Sequence, residues 1–206
     1  MTAIEFAALT NVSRETLEKL QAYLDLLVHW QKAINLVGRK TLDDPWRRHL
    51  LDSAQLFRHL PCNADAVFDL GSGGGLPGLV LAIMGTRNIH LIESDQRKAL
   101  FLREAVRLLE LNTVVIPRRI EGLSSYSADV VTARALAPLP RLLDLCSPLL
   151  SASSICFFLK GRSAIDELTQ ARKCWRMSAQ SLPSLSDPNA SILKLWDIQR
   201  APLHRP

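Results

Sequence analysis

A glycine-rich run carries the clearest chemical signature in this sequence. It reads Asp69-Leu-Gly-Ser-Gly-Gly-Gly-Leu-Pro-Gly78 and begins inside a short apolar segment. Glycine has no Cβ, so such a run lets the backbone turn sharply and approach a ligand closely. Pro77 suits the first turn of a following helix, where its missing N–H costs nothing. Glu93 closes the next apolar segment, and a carboxylate there can accept both hydroxyl hydrogens of a ribose. The pattern predicts a nucleoside-binding loop between a strand and a helix.

The glycine spacing leaves two cofactor classes open. Gly73-x-Gly75-x-x-Gly78, with Glu93 further on, also fits a nicotinamide dinucleotide site. Three features favour S-adenosyl-L-methionine. Asp69 stands at the strand end, where its carboxylate could receive the amino group of a methionine moiety. The D-x-G-x-G-x-G form matches the first motif of Rossmann-like methyltransferases, and little chain follows the expected sheet to build a separate substrate domain. We therefore expect S-adenosyl-L-methionine as the cofactor.

The elements around this loop change character along the chain. Residues 1–62 are expected to form a helical N-terminal extension, with one amphipathic helix over 13–37 and a second over 46–59. Over residues 63–206, short apolar segments alternate with helical ones, which predicts an α/β domain with a mostly parallel, doubly wound sheet. The strands are expected at 67–70, 89–93, 113–116, 130–133 and 155–160. The helices between and after them are expected at 79–84, 96–111, 139–150 and 163–177, and a closing hairpin at 182–183 and 192–196. Ligands bind such sheets at the carboxyl edge of the strands.

Composition and charge narrow the class of protein. Of the 206 residues, 48% are hydrophobic, enough for a real core, and the net charge of +5 favours an acidic partner such as nucleic acid. A charge of this size also serves solubility alone. No signal-peptide pattern is seen, and the most apolar stretch, 76–84, is too short to span a bilayer. The spacing of the four cysteines fits no metal site. We expect a cytoplasmic monomer that binds neither a membrane nor a metal.

Several further motifs follow one another in a fixed order along the chain. Besides the glycine run, they are Asn35-Leu-Val-Gly38, Arg48-His49-Leu-Leu-Asp52-Ser53, Glu93-Ser-x-x-Arg97-Lys98, Phe101-Leu-Arg103, Arg119-Ile-Glu121, Thr132-Ala-Arg134-Ala-Leu-Ala137 and Leu159-Lys160-Gly161. Taken together, these motifs resemble the bacterial 16S rRNA guanine-N7 methyltransferase family called RsmG or GidB. The resemblance covers about residues 15–165 and fades beyond Gly161. It implies a Rossmann-like class I methyltransferase that uses S-adenosyl-L-methionine to methylate N7 of one guanine, with 16S rRNA or the small ribosomal subunit as partner.

The resemblance also implies roles for individual residues. Glu93 would hold the ribose, Ile120 and Glu121 would flank the adenine, and Arg134 would face the reacting centre. The full set expected to bind the cofactor is Asp69, Gly71, Gly73, Leu76, Glu93, Ile120, Glu121 and Arg134. The candidates for RNA phosphates are Arg97, Arg103, Arg119 and Lys160.

The roles of the charged residues leave alternatives open. Arg134 could contact guanine O6, an RNA phosphate or the cofactor's carboxylate, or form an ion pair with Asp129 or Asp144. The arginines near 97–107 could simply form a solvated helix face, and His49 with Asp52 could be a structural pair.

The expected chemistry is an in-line displacement with no general base, because guanine N7 carries a lone pair and no proton. Arg134 would then act by positioning. Two other functions remain open: methylation of a protein or small molecule on the same fold, and cofactor binding without catalysis. We expect Gly71→Val to abolish cofactor binding, and Arg134→Ala to lower methyl transfer while leaving the fold intact.

Overall fold

A seven-stranded sheet forms the centre of the computed structural model, which describes residues 1–202. Its strand order is β3-β2-β1-β4-β5-β7-β6. Strands β1 to β5 run parallel, whereas β7 is antiparallel to both β5 and β6. The predicted α/β fold with a mostly parallel sheet is therefore confirmed. The strands are β1 (Val67–Leu70), β2 (Ile89–Ile92), β3 (Thr113–Ile116), β4 (Ala128–Arg134), β5 (Leu150–Lys160), β6 (Trp175–Pro183) and β7 (Ser191–Arg200).

Helices cover both faces of the sheet, as expected for a doubly wound arrangement. One buried cluster joins the sheet to helices α1, α2, α4 and α5, and includes Phe6, Leu20, Leu79 and Phe101. The other joins it to α6 and α7. Burial of these apolar faces is the main force that holds the layers together. The helices are α1 (Ala3–Thr10), α2 (Arg14–Gln31), α3 (Asp52–Ala54), α4 (Gly78–Ile83), α5 (Gln96–Leu108), α6 (Leu139–Cys146) and α7 (Ala164–Ala171).

The helical extension differs from its prediction in two ways. The helix predicted over 13–37 ends at Gln31, because the Gln31 side-chain oxygen accepts the backbone N–H groups of Leu36 and Val37 and draws the chain into a turn. Helix α1 was not predicted. A capping box between Thr2 and Glu5 starts it, and it buries Phe6.

The second predicted helix, over 46–59, is irregular. It consists of a π-helical turn at Trp46–Leu51, the short α3 and a 3₁₀ turn at Phe57–His59. The Trp46 ring packs against Phe6 with the ring centroids 5.3 Å apart.

The C-terminal part is more extended than predicted. The helix expected over 163–177 ends at Ala171, because Trp175 is buried and begins β6. The expected hairpin is confirmed and is longer than predicted: β6 and β7 pair from Pro183↔Ser191 to Trp175↔Arg200. Its loop, residues 184–190, reaches the carboxyl edge of the sheet.

The division at residue 62 stays a prediction. The helices of residues 1–62 share one apolar cluster with strands of the second part. Residues 203–206, the end of the second predicted domain, lie outside the described residues. No helix within residues 1–202 combines the length and the hydropathy needed to cross a membrane.

Candidate active site

The glycine-rich loop leaves the end of β1 and enters α4. Gly71 has φ +65°, a conformation that favours glycine, and a Cβ placed on it would lie 2.5 Å from Leu136 Cδ1. Two polar contacts hold the loop in this form: the Ser72 hydroxyl donates to the Asp69 carbonyl over 2.9 Å, and the Gly73 N–H donates to Glu93 Oε2 over 2.9 Å. Leu136 therefore packs directly over the turn because position 71 has no side chain.

Asp69 lies beneath the loop rather than in an open site. Its carboxylate accepts the Thr132 hydroxyl over 2.9 Å and the Gly78 N–H over 3.2 Å, and the residue is fully buried. Burial raises the pKa of this carboxyl to about 6, although these hydrogen bonds act in the opposite direction. Asp69 thus ties β1 to β4 and to the start of α4. The contact expected between Asp69 and a cofactor's amino group is not offered by this arrangement, because the carboxylate faces protein donors.

The N-terminal extension supports the same loop from the other side. Tyr23 of α2 is fully buried, and its hydroxyl donates to the Gly74 carbonyl over 2.6 Å. A Cβ on Gly74 would lie 3.2 Å from Leu27 of the same helix. Helix α2 therefore packs closely on the glycine run.

A cavity of about 340 Å³, called here the smaller cavity, opens beside the loop at the carboxyl edge of the sheet. Apolar side chains form part of its wall, and Glu93 supplies a buried carboxylate. Glu93 Oε2 accepts the Gly73 N–H, and Oε1 accepts the Asp95 N–H over 2.8 Å. Each carboxylate oxygen can accept two hydrogen bonds, so one place remains on each for a ribose diol. The apolar part of the wall is Ile92, Ile120, Leu136 and Leu145.

The structure brings five of the predicted cofactor residues to this cavity and leaves three out. Asp69 and Leu76 are buried in the protein, with Leu76 in the apolar cluster under α2, and neither lines the cavity. Arg134 lines a neighbouring cavity instead. The five residues in the wall are Gly71, Gly73, Glu93, Ile120 and Glu121.

That neighbour, called the larger cavity, has a volume of about 530 Å³. Ala135 and Leu136, just after β4, line both cavities, so the two spaces meet there. The larger cavity is assembled from segments far apart in the sequence. These are residues 38–52, residues 134–138, the end of β5 with Gly161, Glu167 of α7, and residues 184–191.

Arg134 is bound on one side by the extension. Its Nη1 donates to the Arg48 carbonyl over 3.0 Å and to Asp52 Oδ2 over 3.1 Å, and its Nη2 lies 3.2 Å from His49 Nδ1. The side chains of Arg134 and Asp52 are 18% and 16% exposed, so this ion pair is mostly buried. The alternative partners were wrong: Asp129 accepts the backbone N–H groups of residues 65 and 66, and Asp144 pairs with Arg200.

His49 is the hydrogen-bond acceptor in its contact with Arg134. Arg134 has only donors, so His49 Nδ1 must accept, and the ring proton then resides on Nε2. His49 Nε2 lies 2.8 Å from the Thr41 hydroxyl, which itself donates to the Gly38 carbonyl. Burial, with the Arg134 and Arg48 charges beside it, lowers the pKa of His49 to about 3. The imidazole is therefore neutral at neutral pH, and it pairs with Arg134 rather than with Asp52.

The loop between β6 and β7 is tied to the extension by four side-chain contacts. The Ser186 hydroxyl donates to Asp52 Oδ1 over 2.6 Å, and Arg48 pairs with Asp187 over 3.1 Å. Gln55 donates to the Ser184 hydroxyl over 3.1 Å and accepts the backbone N–H of residue 185 over 2.7 Å. These contacts hold the loop against the extension, and Ser184, Ser186 and Asp187 of the loop line the larger cavity.

The four predicted RNA-binding residues occupy different settings. Arg119 lines the smaller cavity, whereas Arg97 and Arg103 are exposed on α5. Lys160 is only 10% exposed, donates to the Ala137 carbonyl over 2.7 Å and pairs with Glu167 over 2.9 Å. Its charge is thus balanced within the protein, so the expectation of a Lys160 ammonium free to bind a phosphate was wrong.

Sequence reasoning missed Arg141 in the wall of the smaller cavity, and Ser186 and Asp187 in the wall of the larger one. Lys98, Arg118 and Arg141 join Arg119 around the smaller cavity. Ser186 and Asp187 complete the larger one. The adjacent residues Arg118 and Arg119 could be recognised in the sequence as a basic site. No sequence pattern predicted the contacts of the hairpin loop. Within residues 1–202, no three His, Cys, Asp or Glu side chains cluster in a way that would hold a metal ion.

The fold is that of a class I methyltransferase. A ribosomal protein L11 methylase from Lactobacillus delbrueckii subsp. bulgaricus has the same fold at 14% identity, with a TM-score of 0.58 over 72% of this chain and 76% of that one. A mutant of MtNAS in complex with S-adenosylmethionine superposes with a TM-score of 0.59 at 14% identity, over 95% of this chain and 84% of that one.

Sequence comparison then identifies the family. A family model described as GidB, rRNA small subunit methyltransferase G, matches residues 16–193. The ribosomal RNA small subunit methyltransferase G of Rhodospirillum rubrum is 53% identical over 201 residues, which is 98% of this chain and 100% of the relative. Its counterpart in Gluconobacter oxydans is 50% identical over 93% of this chain and 99% of the relative. The chain belongs to the rRNA small subunit methyltransferase G family, and the resemblance seen in its motifs is confirmed.

Proposed function

We propose that this protein transfers the methyl group of S-adenosyl-L-methionine to N7 of a guanine in the 16S rRNA of the small ribosomal subunit. One observation carries the proposal: two cavities meet at Ala135 and Leu136 on the carboxyl edge of the sheet. One has the groups that a nucleoside cofactor needs, and the other has room and polar groups for a base. The family's name supplies the class of acceptor.

The smaller cavity fits S-adenosyl-L-methionine. Glu93 retains an accepting place on each carboxylate oxygen for the ribose diol, and apolar side chains, including Ile120 and Leu136, can enclose the adenine. Gly71 lines this cavity at a positive φ, and Leu136 packs where a side chain at position 71 would lie. The amino group of the methionine moiety has no such partner in Asp69. We propose instead that Asp69 acts indirectly, by holding the loop that the cofactor touches.

The residues of this chain contribute placement rather than proton transfer. The cofactor, when bound, supplies a methyl group on a positively charged sulfur, and guanine N7 offers a lone pair without a proton. His49 cannot serve as a base, because the Nδ1 lone pair accepts from Arg134 and Nε2 carries the proton. No base is needed for this reaction, so holding the base and the methyl group close and aligned is the main task of the protein.

Arg134 is the group best placed to orient the base. An arginine has five N–H donors, and three of those of Arg134 point to Arg48, His49 and Asp52. The Nε–H and the second hydrogen of Nη2 remain for an acceptor in the larger cavity, such as guanine O6. Because Asp52 balances its charge, Arg134 can stand beside a base that becomes cationic on methylation.

We further propose that RNA approaches across the rim of the smaller cavity. Lys98, Arg118, Arg119 and Arg141 line this cavity, yet an adenosine moiety carries no phosphate to balance them. Only Arg141 of these four has an acidic partner within 4.0 Å among residues 1–202, the exposed Glu121. RNA phosphates are the natural counter-charges for such a rim. Arg97 and Arg103 of α5 remain candidates for more distant contacts.

One chain supplies both cavities from its described residues, so we propose that the enzyme acts as a monomer. It would act in the cytoplasm, where its substrate, the small ribosomal subunit or its RNA, is found.

The test is methyl transfer with defined acceptors. Purified protein is incubated with tritiated S-adenosyl-L-methionine and small subunits from a strain that lacks the gene, and the RNA is digested to nucleosides. We expect label in N7-methylguanosine and in no other nucleoside. Subunits from cells that carry the gene serve as the control and should accept no label, because the site is already methylated. Label in another nucleoside, or in protein, would contradict the proposal.

A further inference from the structure

Adenine and guanine both carry a nucleophilic N7, so an enzyme selective for guanine has to read another edge of the base. Guanine differs from adenine at O6, at the N1–H and at the 2-amino group. The N1–H and the 2-amino group are adjacent donors, and one carboxylate can accept both. At the same place adenine presents a lone pair on N1, which a carboxylate would repel. A carboxylate in the wall of the larger cavity would therefore provide the selectivity.

Three carboxylates line the larger cavity, and two of them already accept three contacts each from the protein. Asp52 accepts from Arg134, Ser186 and Gln55. Glu167 accepts from Lys160, the Ser163 hydroxyl and the N–H of residue 139. Neither can turn toward a base without leaving a mostly buried cation unpaired, which is costly.

Asp187 is the third carboxylate, and its situation is different. It accepts two hydrogen bonds, from Arg48 over 3.1 Å and from the Asn189 N–H over 2.9 Å. The side chains of Arg48 and Asp187 are 47% and 33% exposed. An ion pair so exposed contributes little to stability and can open easily. The Asn189 N–H and the Arg48 guanidinium lower the pKa of the Asp187 carboxyl, so it is ionised at neutral pH.

The backbone that carries Asp187 is held in place. The hydrogen bonds of Gln55 and Asp52 to the loop fix the residues just before it, and the N–H of Ala190 donates to the Asp187 carbonyl over 3.0 Å. The carboxylate is thus presented from a fixed loop at the wall of the cavity, on the hairpin rather than on the sheet edge that carries Arg134. Such an arrangement can hold a base between two polar groups before the methyl group is transferred.

We infer that Asp187 determines guanine selectivity, with its carboxylate accepting the N1–H and the 2-amino group of the target base while Arg134 contacts O6. This inference rests on the proposed function. Binding of the base exchanges the exposed Arg48 contact for two hydrogen bonds from the base. Methylation at N7 makes the base cationic and its N1–H more acidic, so the same contact becomes stronger as the reaction proceeds. Asp187 therefore acts on both binding and rate.

The experiment compares guanine with inosine, which lacks the 2-amino group but retains N7, O6 and N1–H. Small subunits are reconstituted with 16S rRNA ligated from two pieces, so that the target position carries either base. Wild-type protein is expected to prefer guanine by roughly 10- to 100-fold in kcat/KM, the range for one hydrogen bond to a charged group. In Asp187→Asn the preference should fall to about twofold, because a neutral amide accepts one such bond only weakly.

The matched control is Asp197→Asn, the same change on β7 of the same hairpin and outside the larger cavity. It should keep the wild-type preference. An Asp187→Asn variant with an unchanged guanine-to-inosine ratio would overturn the inference, whatever its absolute activity. If turnover of that variant is too low to measure, the affinities for the two RNAs, measured with S-adenosylhomocysteine present, give the same ratio. Failure of the wild-type protein to methylate either RNA would instead overturn the proposed function.

Discussion

The two cavities at the sheet edge are built in opposite ways. In the smaller one, the groups that would face a cofactor's ribose are local, namely the glycine loop at residues 71–73 and Glu93, whereas residues between 94 and 145 supply most of the remaining wall. The larger one depends on side chains that reach one another across 82 to 134 residues of sequence, as in the pairs of Asp52 with Arg134 and with Ser186. A local motif supplies the ribose-binding groups of the cofactor site, whereas the polar contacts of the acceptor site are made between distant parts of the chain.

The largest expected effect comes from a substitution that disrupts the smaller cavity alone. Gly71→Val places a branched side chain where even a Cβ would be 2.5 Å from Leu136, at a positive φ. We expect at least about a 100-fold loss of S-adenosylmethionine affinity by calorimetry, since valine disfavours this positive φ and displaces Leu136 in the cavity wall. Gly122→Val is the control, because a Cβ there meets nothing within 4 Å. Unchanged affinity in Gly71→Val would show that the loop does not carry the cofactor.

The next effect concerns the larger cavity. Arg134→Ala removes the group that we assign to base orientation, and kcat should fall by about 10²–10³ while cofactor affinity changes only a few-fold. The sequence alone suggested that Arg134→Ala leaves the fold intact. The structure modifies this expectation, because the substitution leaves Asp52 and His49 without their partner. A stability loss of about 1–3 kcal/mol should accompany it. Arg134→Lys keeps the charge and loses the fork, so it should rescue stability more than kcat. Wild-type turnover in Arg134→Ala would restrict this residue to a structural role.

The free energy of unfolding in acid should depend on His49, which lies in the wall of the larger cavity. His49 titrates near 3 when folded and near 6.5 when unfolded, so the unfolded chain binds more protons between these values. The free energy of unfolding should therefore fall as the pH drops from about 6.5 to 4, by about 2–3 kcal/mol from this residue. Urea unfolding of His49→Gln across this range should show a flatter pH dependence than the wild type. Equal slopes in both proteins would contradict the account of a buried neutral imidazole.

Asp69, beneath the smaller cavity, should show the opposite trend. Its pKa of about 6 in the folded state exceeds the value near 3.9 in the unfolded chain, so the folded protein binds more protons between these limits. The contribution of Asp69 to stability should then rise by about 1–3 kcal/mol as the pH drops from 6 to 4. Asp69→Asn should remove this rise, and the difference in unfolding free energy between the two proteins measures it. A difference that is independent of pH would contradict the assignment.

The smallest effect separates two groups of arginines. Arg119→Ala, at the rim of the smaller cavity, should raise KM for the small subunit a few-fold and reduce the salt dependence of RNA binding by about one phosphate contact. Arg103→Ala on exposed α5 is the matched control, and it should change the slope less. An equal salt dependence of RNA binding in the two variants would contradict RNA binding at the rim of the smaller cavity.

Much of the sheet and the smaller cavity could be predicted, because their signals are local. The alternation of apolar segments specified strands β1 to β4 closely and the second half of β5, which begins at Leu150 rather than at 155, and Gly71, Gly73 and Glu93 followed from one motif. The errors arose where side chains override the pattern. Gln31 ends α2 by capping the turn after it, and burial of Trp175 converts the end of a predicted helix into a strand.

The contacts of Arg134 show why the acceptor site resisted prediction. The acidic partners considered for Arg134 were Asp129, on the same strand, and Asp144, on the next helix. The packing of residues 46–54 against the sheet edge supplies Asp52 instead. Ser186 and Asp187 gave no signal of their own, because their loop is placed by hydrogen bonds to Gln55 and Asp52 rather than by its own sequence.

The most direct test of the central claim uses cells with and without this gene. RNA of the small subunit is reduced and cleaved with aniline at N7-methylguanine, and the cleavage sites are mapped by primer extension. The account predicts one stop that disappears in the deletion strain and returns with the plasmid-borne gene but not with its Gly71→Val variant. An identical pattern of stops in all these strains would contradict the claim that this protein methylates N7 of a guanine in the small-subunit RNA.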